Sequence, residues 1–308
     1  MESILYFVLP CYYDEEVLPV TVPAVLQKLD ALTAAGLIGG ESRVLLVNDG
    51  SADGTWDVIR ALHGADPRVI GIDLVKNVGE RNALLAGMRF AADKADCVVT
   101  IDSDLQDDLN AVDEMLQKYN AGSDLVLGVR SDRSADSLRE RFFSGCFYLC
   151  MRLLKTGQVP QHSNFRLMSK KAVETLFRRA EGAFFLPAVV SNLGLPYQTV
   201  SYRRTARTAG KSRYNFRKKS RLAVNAMLLH SRNLPLLTSI AAVCCGGLTG
   251  VFAALWARYR VWLPFAAAAL CFCLFLLFAG LRLGFGRICD KINEGQTELW
   301  FEIRDTVI

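Results

Sequence analysis

Short apolar segments alternate with longer amphipathic ones over the first two thirds of the chain. The short segments, rich in β-branched residues, predict buried strands over residues 4–9, 43–47, 69–74, 98–101, 124–129 and 196–203. The longer segments predict helices over residues 18–35, 53–62, 82–92, 109–120 and 170–179. Connections of this kind join parallel strands through right-handed crossovers, so the pattern predicts an α/β domain with a doubly wound, mostly parallel, Rossmann-like sheet.

Two long uncharged segments follow, over residues 233–257 and 261–281, and only Arg258-Tyr259-Arg260 separates them. Each exceeds the roughly 20 residues that a helix needs to cross a bilayer. The pattern therefore predicts a C-terminal two-helix transmembrane hairpin within residues 233–286. The alternative is a buried pair of core helices in a soluble protein.

The remaining segments complete a four-part organisation of the chain. We assign residues 1–213 to a catalytic domain, 214–232 to a basic juxtamembrane helix, and 287–308 to a cytoplasmic C-terminal tail in which 298–303 is a candidate strand. Within the first part, 137–155 is an amphipathic helix with arginines opposite aromatic residues. It either packs on the edge of the sheet or lies at a membrane surface.

Charge changes this picture because acidic and basic residues are segregated. The formal net charge is +5, and Arg203–Arg232 carries ten lysines or arginines and no acid. A basic stretch directly before a span predicts a cytoplasmic catalytic domain, and a nucleic-acid partner is not expected beside two spans. The first apolar run is too short for a signal peptide. The nine cysteines have no regular spacing, which predicts reduced thiols without a disulfide framework or a zinc site.

Candidate chemistry begins where the strand at 98–101 ends. Asp102, Ser103 and Asp104 follow it directly, at the sheet edge where open α/β folds bind ligands. Two carboxylates at a strand end suit a hard divalent cation, Mg²⁺ or Mn²⁺, and Gln106 offers a further neutral oxygen ligand. The alternative is a pair of solvated loop carboxylates.

Seven motifs then occur in one order: Pro10 with the acids after it, NDGSADGT, NVGERNALLAGM, DSDLQDD, GVRSDR, SNFRLMSKKAV and RTAGKSRY. This combination resembles glycosyltransferase family 2, which has the GT-A fold, and within it the polyprenyl-phosphate glycosyltransferase branch. The resemblance covers essentially the whole chain. It is specific as a combination, although no single motif is.

The resemblance implies roles for individual residues. The donor nucleotide would be held by Pro10, Tyr12, Glu15, Asp49, Asp102 and Ser103. The metal ligands would be Asp102, Asp104 and Gln106. The catalytic residues would be Asp104, Arg130, Arg133, Asn164 and Arg166, with the three arginines near the reacting phosphates. A basic loop would close over the acceptor and diphosphate with Arg207, Lys211 and Ser212, unless it is only a solvated loop.

The resemblance also implies the reaction. A single sugar would pass with inversion from a nucleotide sugar, UDP-glucose or a related UDP-hexose favoured over GDP-mannose, to a polyprenyl phosphate such as undecaprenyl or dolichyl phosphate. Transfer would occur on the cytoplasmic membrane face, and a homo-oligomer is compatible with the resemblance. The motif Gln-x-x-Arg-Trp expected of a processive synthase is missing from the sequence.

One departure from the family leaves a rival open. Many relatives carry Asp at the position of Asn164, and Asn cannot act as a base. An acceptor phosphate has its second pKa near 6 and is already ionised at neutral pH, so Asn164 is expected to orient substrate instead. The rival is a catalytically impaired, membrane-anchored protein that binds nucleotide sugar or serves as a scaffold.

Overall fold

The computed structural model describes residues 2–131, 138–179, 186–204, 234–259, 267, 269–279 and 302–308. Eight strands form one sheet in the order β7-β5-β6-β4-β1-β2-β3-β8. Their bounds are β1 Leu5–Cys11, β2 Arg43–Asn48, β3 Val69–Leu74, β4 Cys97–Thr100, β5 Leu125–Arg130, β6 His162–Ser169, β7 Tyr197–Tyr202 and β8 Ile303–Val307. The predicted strands are therefore present, with ends that differ by one or two residues.

The sheet is mixed rather than uniformly parallel. Strands β1, β2, β3 and β4 run parallel, as do β5 and β7, which confirms the mostly parallel sheet. Strand β6 lies between β4 and β5 and is antiparallel to both. The sequence predicted no strand at β6, and this strand enters the sheet after α5 in the opposite direction.

Strand β1 continues through Pro10, where the sequence predicted its end. Val8 accepts a hydrogen bond from Ile101 on the β4 side, so Pro10, two residues on, faces that same side. The β1–β4 pairing has already ended at Val8 and Thr100, whereas Pro10 still pairs with Val47 of β2. The missing N–H of Pro10 therefore costs no ladder bond.

Helices cover both faces of the sheet, as expected for a doubly wound domain. They are α1 Leu18–Ala34, α2 Thr55–Ala65, α3 Glu80–Ala91, α4 Ala111–Asn120, α5 Leu138–Leu153, α6 Lys170–Arg179 and α7 Leu186–Ser191. Buried residues of α1, α2 and α4 share one core with one face of the sheet, and those of α3, α6 and α7 share a second core with the other face. Helix α5 agrees with the predicted amphipathic helix, and its Met151 is buried.

The C-terminal segment returns to the catalytic sheet. Strand β8 pairs antiparallel with β3, and Arg304 Nη1 lies 3.4 Å from Asp73 Oδ2. The candidate strand at 298–303 was placed too early, since the strand occupies Ile303–Val307; residues 298–301 lie outside the described part of the chain. Part of the predicted tail thus completes the edge of the sheet.

Two apolar helices occupy the predicted transmembrane region. Helix α8, Leu234–Tyr259, contains a stretch, Thr238–Arg258, that is long and apolar enough to cross a membrane. Helix α9, Ala269–Ala279, is shorter in the described residues, so the two-helix hairpin stays a prediction. A Cβ added at Gly246 of α8 would lie 3.3 Å from Phe275 of α9, which shows that the two helices contact each other. The juxtamembrane helix predicted at 214–232 lies outside the described residues.

Helix α3 packs closely on the sheet at Gly87, and this contact yields a stability prediction. An added Cβ there would lie 2.4 Å from Val8 Cγ1 and 2.9 Å from Val47 Cγ2, whereas one at Gly64 of α2 would meet nothing within 4 Å. We expect Gly87→Ala to lower the free energy of unfolding by about 1–3 kcal/mol, because it overpacks the core. The matched change Gly64→Ala is expected to raise it by about 0.5–1 kcal/mol.

Thermal and urea unfolding of the two purified variants measure this difference against the unsubstituted protein. Equal effects of the two substitutions would contradict the close packing of α3 on β1 and β2.

Candidate functional site

The candidate site lies at the carboxyl ends of the parallel strands. Strand β4 ends at Thr100, and the following loop, residues 101–108, is called the β4 loop here. It lies beside the loops that follow β1 and β2, because these three strands are neighbours that run in one direction. The loop after β1, residues 12–17, is called the first-strand loop here. The sheet therefore brings the first-strand loop, the Asn48-Asp49-Gly50-Ser51 turn and Asp102-Ser103-Asp104 to one edge.

Asp102 is a partly buried carboxylate at the start of the β4 loop. Its side chain is 25% exposed, and Oδ2 lies 3.6 Å from Arg204 Nη2. Oδ1 is buried and makes no hydrogen bond within the described residues. Burial raises the pKa of Asp102 well above its ordinary value, and the charges of Glu80, Asp107 and Asp104 raise it further, whereas Arg204 lowers it. Arg204 therefore supplies positive charge beside this carboxylate.

Asp104 and Gln106 lie in the same loop. Gln106 N donates to Asp104 Oδ1 at 3.2 Å, and Leu105 between them has a positive φ of 53°. Among the described residues, no three His, Cys, Asp or Glu side chains converge as a ready set of metal ligands. The loop instead offers two carboxylates and an amide, which are hard oxygen donors.

Ser103 links the β4 loop to the first-strand loop. Its hydroxyl donates to Asp14 Oδ2 at 2.7 Å, and its backbone carbonyl accepts from Thr21 Oγ1 at 2.6 Å. Asp14 Oδ2 also accepts from Tyr12 N at 3.0 Å. The Ser103 side chain thus braces two loops against each other.

The predicted donor-binding residues Tyr12 and Glu15 belong to the first-strand loop, and Pro10 precedes it in β1. Tyr12 is 37% exposed, and its ring makes an edge contact with Tyr13 at a centroid distance of 4.6 Å. Glu15 Oε2 accepts from Gly54 N at 2.7 Å, which joins this loop to the turn after β2. Pro10 is buried in β1, so its side chain supports the start of the loop and is not exposed to solvent.

Asp49 is 2% exposed and organises a neighbouring loop. Its Oδ1 accepts from Val78 N at 2.7 Å, and its Oδ2 accepts from Gly79 N at 3.0 Å and Asn77 Nδ2 at 3.1 Å. Burial raises the pKa of Asp49 to about 6, although the two backbone N–H donors lower it. Asp49 therefore holds the backbone that leads into α3.

Arg166 is buried in β6, with 1% of its surface exposed. Its Nη2 donates to Asn164 Oδ1 at 2.9 Å and its Nε to Asn164 O at 3.1 Å, while Nη1 has no hydrogen-bond partner in the described part of the chain. Asn164 Nδ2 donates to Glu80 Oε1. Burial lowers the pKa of Arg166 to about 9, and the charges of Asp102 and Glu80 oppose that shift. At neutral pH the guanidinium stays charged.

Arg130 belongs to a second group of side chains, at the end of β5. Its Nε lies 3.4 Å from Tyr202 Oη, and that hydroxyl donates to Asp107 Oδ1 at 2.7 Å. Asp107 is buried, which raises its pKa, whereas the Tyr202 hydroxyl and Arg130 lower it. Arg130 is thereby held at the end of β5.

The structure thus groups the predicted residues of the first-strand loop and the β4 loop with Asn164, Arg166 and Arg130. Four predicted residues lie outside the described part of the chain: Arg133, Arg207, Lys211 and Ser212. Sequence reasoning assigned no role to Glu80, Tyr202 or Arg204. Arg204 belongs to the basic run, which was a usable signal, but nothing in the local sequence indicated that Glu80 contacts Asn164.

Comparisons with known proteins agree with this architecture. Residues 6–177 match the family described as Glycosyl transferase family 2. The chain is 37% identical over 226 residues to the uncharacterized glycosyltransferase YkoT of Bacillus subtilis (strain 168), covering 73% of this chain and 67% of that protein. It is 34% identical over 209 residues to the bactoprenol glucosyl transferase of Shigella phage SfV, covering 68% of this chain and 66% of that protein. The chain therefore spans about two thirds of the length of these relatives.

Among solved structures, the chain is similar to the mannosyltransferase PcManGT from Pyrobaculum calidifontis in complex with GDP-Man and Mn²⁺. The identity is 15% and the TM-score 0.47, over 92% of this chain and 88% of that one. Glucosyl-3-phosphoglycerate synthase from Mycobacterium tuberculosis gives 18% identity and a TM-score of 0.43, over 73% and 78%.

The family match covers more than half of the chain and includes nearly all of β1, all of β2 to β6, and the β4 loop of the candidate site. The chain belongs to glycosyl transferase family 2, and its α/β domain is that of a glycosyltransferase.

Proposed function

We propose that this protein transfers a single sugar from a nucleotide-sugar donor to a polyprenyl phosphate at a membrane surface. One observation carries the proposal: the site holds a buried carboxylate oxygen, Asp102 Oδ1, and a buried guanidinium nitrogen, Arg166 Nη1, neither with a hydrogen-bond partner among the described residues. A carboxylate suits a divalent cation, and a guanidinium suits a phosphate. A metal-bound diphosphate would satisfy both groups.

The β4 loop fits a bound Mg²⁺ or Mn²⁺. Asp102 and Asp104 would hold the ion and Gln106 would add a neutral oxygen, as suits a cation that retains waters and shares oxygens with a diphosphate. When bound, the ion would stabilise the negative charge of the departing nucleoside diphosphate. Arg204 lies beside Asp102 and supplies positive charge to the same carboxylate.

The first-strand loop would hold the nucleoside. Tyr12 is exposed, and Asp49 holds the loop before α3 by accepting hydrogen bonds from the backbone N–H groups of Val78 and Gly79. A flat base stacks well on an exposed tyrosine ring. The relatives named as bactoprenol glucosyl transferases support a glucosyl donor, and we favour UDP-glucose over GDP-mannose for this chain.

Arginines would position the acceptor phosphate for attack. Arg130 lies at the end of β5, and Arg133, Arg207, Lys211 and Ser212 are expected to add to this basic surface. Guanidinium groups bind phosphate oxygens bidentately and keep their charge. Because the acceptor phosphate is already ionised, its direct attack on the anomeric carbon needs positioning and inverts the configuration.

The apolar helices support a membrane location for the acceptor. Several large hydrophobic side chains of α8 and α9 are exposed, among them Val243 and Leu270, as expected for helices in contact with lipid. Strands β7 and β8 belong to one sheet, yet α8 and α9 lie between them in the chain. The chain must therefore leave and return on the same side of a membrane, which requires an even number of crossings and supports the hairpin. The basic stretch before α8 supports a cytoplasmic catalytic domain.

Sugar transfer is tested with purified protein, radiolabelled nucleotide sugars and undecaprenyl phosphate in the presence of Mg²⁺ or Mn²⁺. We expect labelled lipid from UDP-glucose, its loss with EDTA, and roughly a hundredfold or larger fall in kcat for Asp104→Asn, because charge on the leaving group is no longer stabilised. Asp57→Asn makes the same change on the exposed face of α2 and serves as the matched control.

Labelled lipid that persists with EDTA and in Asp104→Asn would contradict metal-assisted transfer. The failure of every donor to label the lipid would contradict the proposed reaction.

Membrane topology is tested with reporter fusions in a bacterial host. Fluorescent protein fused after Ile308 is expected to fluoresce, and alkaline phosphatase fused after Arg260 is expected to be active, because an even number of crossings returns the C-terminus to the cytoplasm. An active alkaline phosphatase fused after Ile308 would contradict the hairpin.

A further inference from the structure

The amide of Asn164 lies between two groups of opposite charge. Its Nδ2 donates to Glu80 Oε1, and its Oδ1 accepts from Arg166 Nη2 at 2.9 Å. An ionised carboxylate can only accept and a guanidinium can only donate. Only one orientation of the amide satisfies both neighbours. Glu80, Asn164 and Arg166 therefore form a hydrogen-bonded series in which each donor meets an acceptor.

The fold holds each member of this series in place. Asn164 and Arg166 are two residues apart in β6 and therefore share one face of the sheet, and Arg166 pairs in register with Thr100 at the end of β4. Glu80 is the first residue of α3, where the helix dipole favours a carboxylate. The preceding loop is bound by Asp49, and α3 packs on the sheet at Gly87.

We propose that Glu80 is a positioning residue that acts through Asn164 to hold Arg166 for a phosphate oxygen of the substrate. This inference rests on the proposed transferase function. Arg166 uses Nη2 and Nε to bind Asn164, which leaves Nη1 without a protein partner among the described residues. A neutral, bifunctional side chain is needed at residue 164 because Glu80 occupies the position opposite Arg166.

The proposal gives Asn164 a purpose that the sequence did not reveal. An aspartate introduced at residue 164 would still accept from Arg166, but it would place a second carboxylate against Glu80 and remove the donor that Glu80 binds. Like charges in contact destabilise each other. Aspartate at residue 164 would therefore impair this chain, and Asn164 is compatible with full activity.

The test is a double-substitution cycle on the full-length protein. We expect Asn164→Asp to lower kcat/KM for sugar transfer about tenfold, a coupling typical of side chains in one network. Glu80→Gln should have a smaller effect, because its amide oxygen can still accept from Asn164. Combining the two should restore activity to near that of Glu80→Gln, since the new amide can donate to the new carboxylate. Glu114→Gln, on the exposed face of α4, is the matched control.

Two further readouts separate this proposal from the proposed function. The affinity for UDP or GDP is expected to follow the same pattern as kcat/KM if Arg166 binds a phosphate, whereas a purely structural role would change only the thermal midpoint. The proposal is overturned if Asn164→Asp is as active as the unsubstituted protein, or if the double variant is no better than Asn164→Asp.

An unsubstituted protein that transfers no sugar would contradict the proposed function alone, provided that nucleotide affinity still shows the coupling. If the protein binds no nucleotide, or the coupling appears only in the thermal midpoint, the positioning role is wrong.

Discussion

A guanidinium group buried within a sheet needs negative charge close to it, and this requirement connects the parts of the site. Arg166 is charged at neutral pH despite its burial because Asp102 and Glu80 oppose the loss of its proton. Asp102 is itself partly buried, which raises its pKa together with the neighbouring acids, and the charge of Arg204 opposes that rise. Removing one member of such a set leaves a buried charge without its counter-charge, which is costly. The candidate site therefore depends on acids and arginines that lie close enough to offset each other's charge.

Three loops are held together by hydrogen bonds that do not involve substrate. Ser103 binds the first-strand loop through Asp14, Glu15 binds the turn after β2 at Gly54, and Asp49 binds the backbone before α3. Backbone N–H groups in loops have no ladder partners, and Glu15 and Asp49 accept hydrogen bonds from such groups. These bonds fix the loops in the absence of a ligand, so less conformational freedom would have to be lost when a ligand binds.

The return of the chain to the sheet after the apolar helices has a structural consequence. Strand β8 covers the edge of β3, and Arg304 lies beside the otherwise buried carboxylate of Asp73. An uncovered edge strand exposes unpaired backbone groups. Strand β8 therefore covers this edge of the sheet.

Much of the fold was determined by the sequence alone. Strands buried on both faces are continuous apolar runs, which is why β1 to β5 were found to within one or two residues. Asp102 and Asp104 were recognisable because they interrupt such a run, and the two uncharged segments were recognisable by length. The order of the strands was harder to predict, because local periodicity does not indicate which strands become neighbours in the sheet.

The tertiary structure alone decided which distant residues meet. Insertion of β6 between β4 and β5 places Asn164 and Arg166 beside the end of β4, and packing of α3 at Gly87 places Glu80 against Asn164. Glu80 and Asn164 are far apart in the sequence, and the local sequence around each of them does not indicate the contact. Their contact depends on strand order, strand direction and the close approach of a helix, and these are properties of the packed chain as a whole.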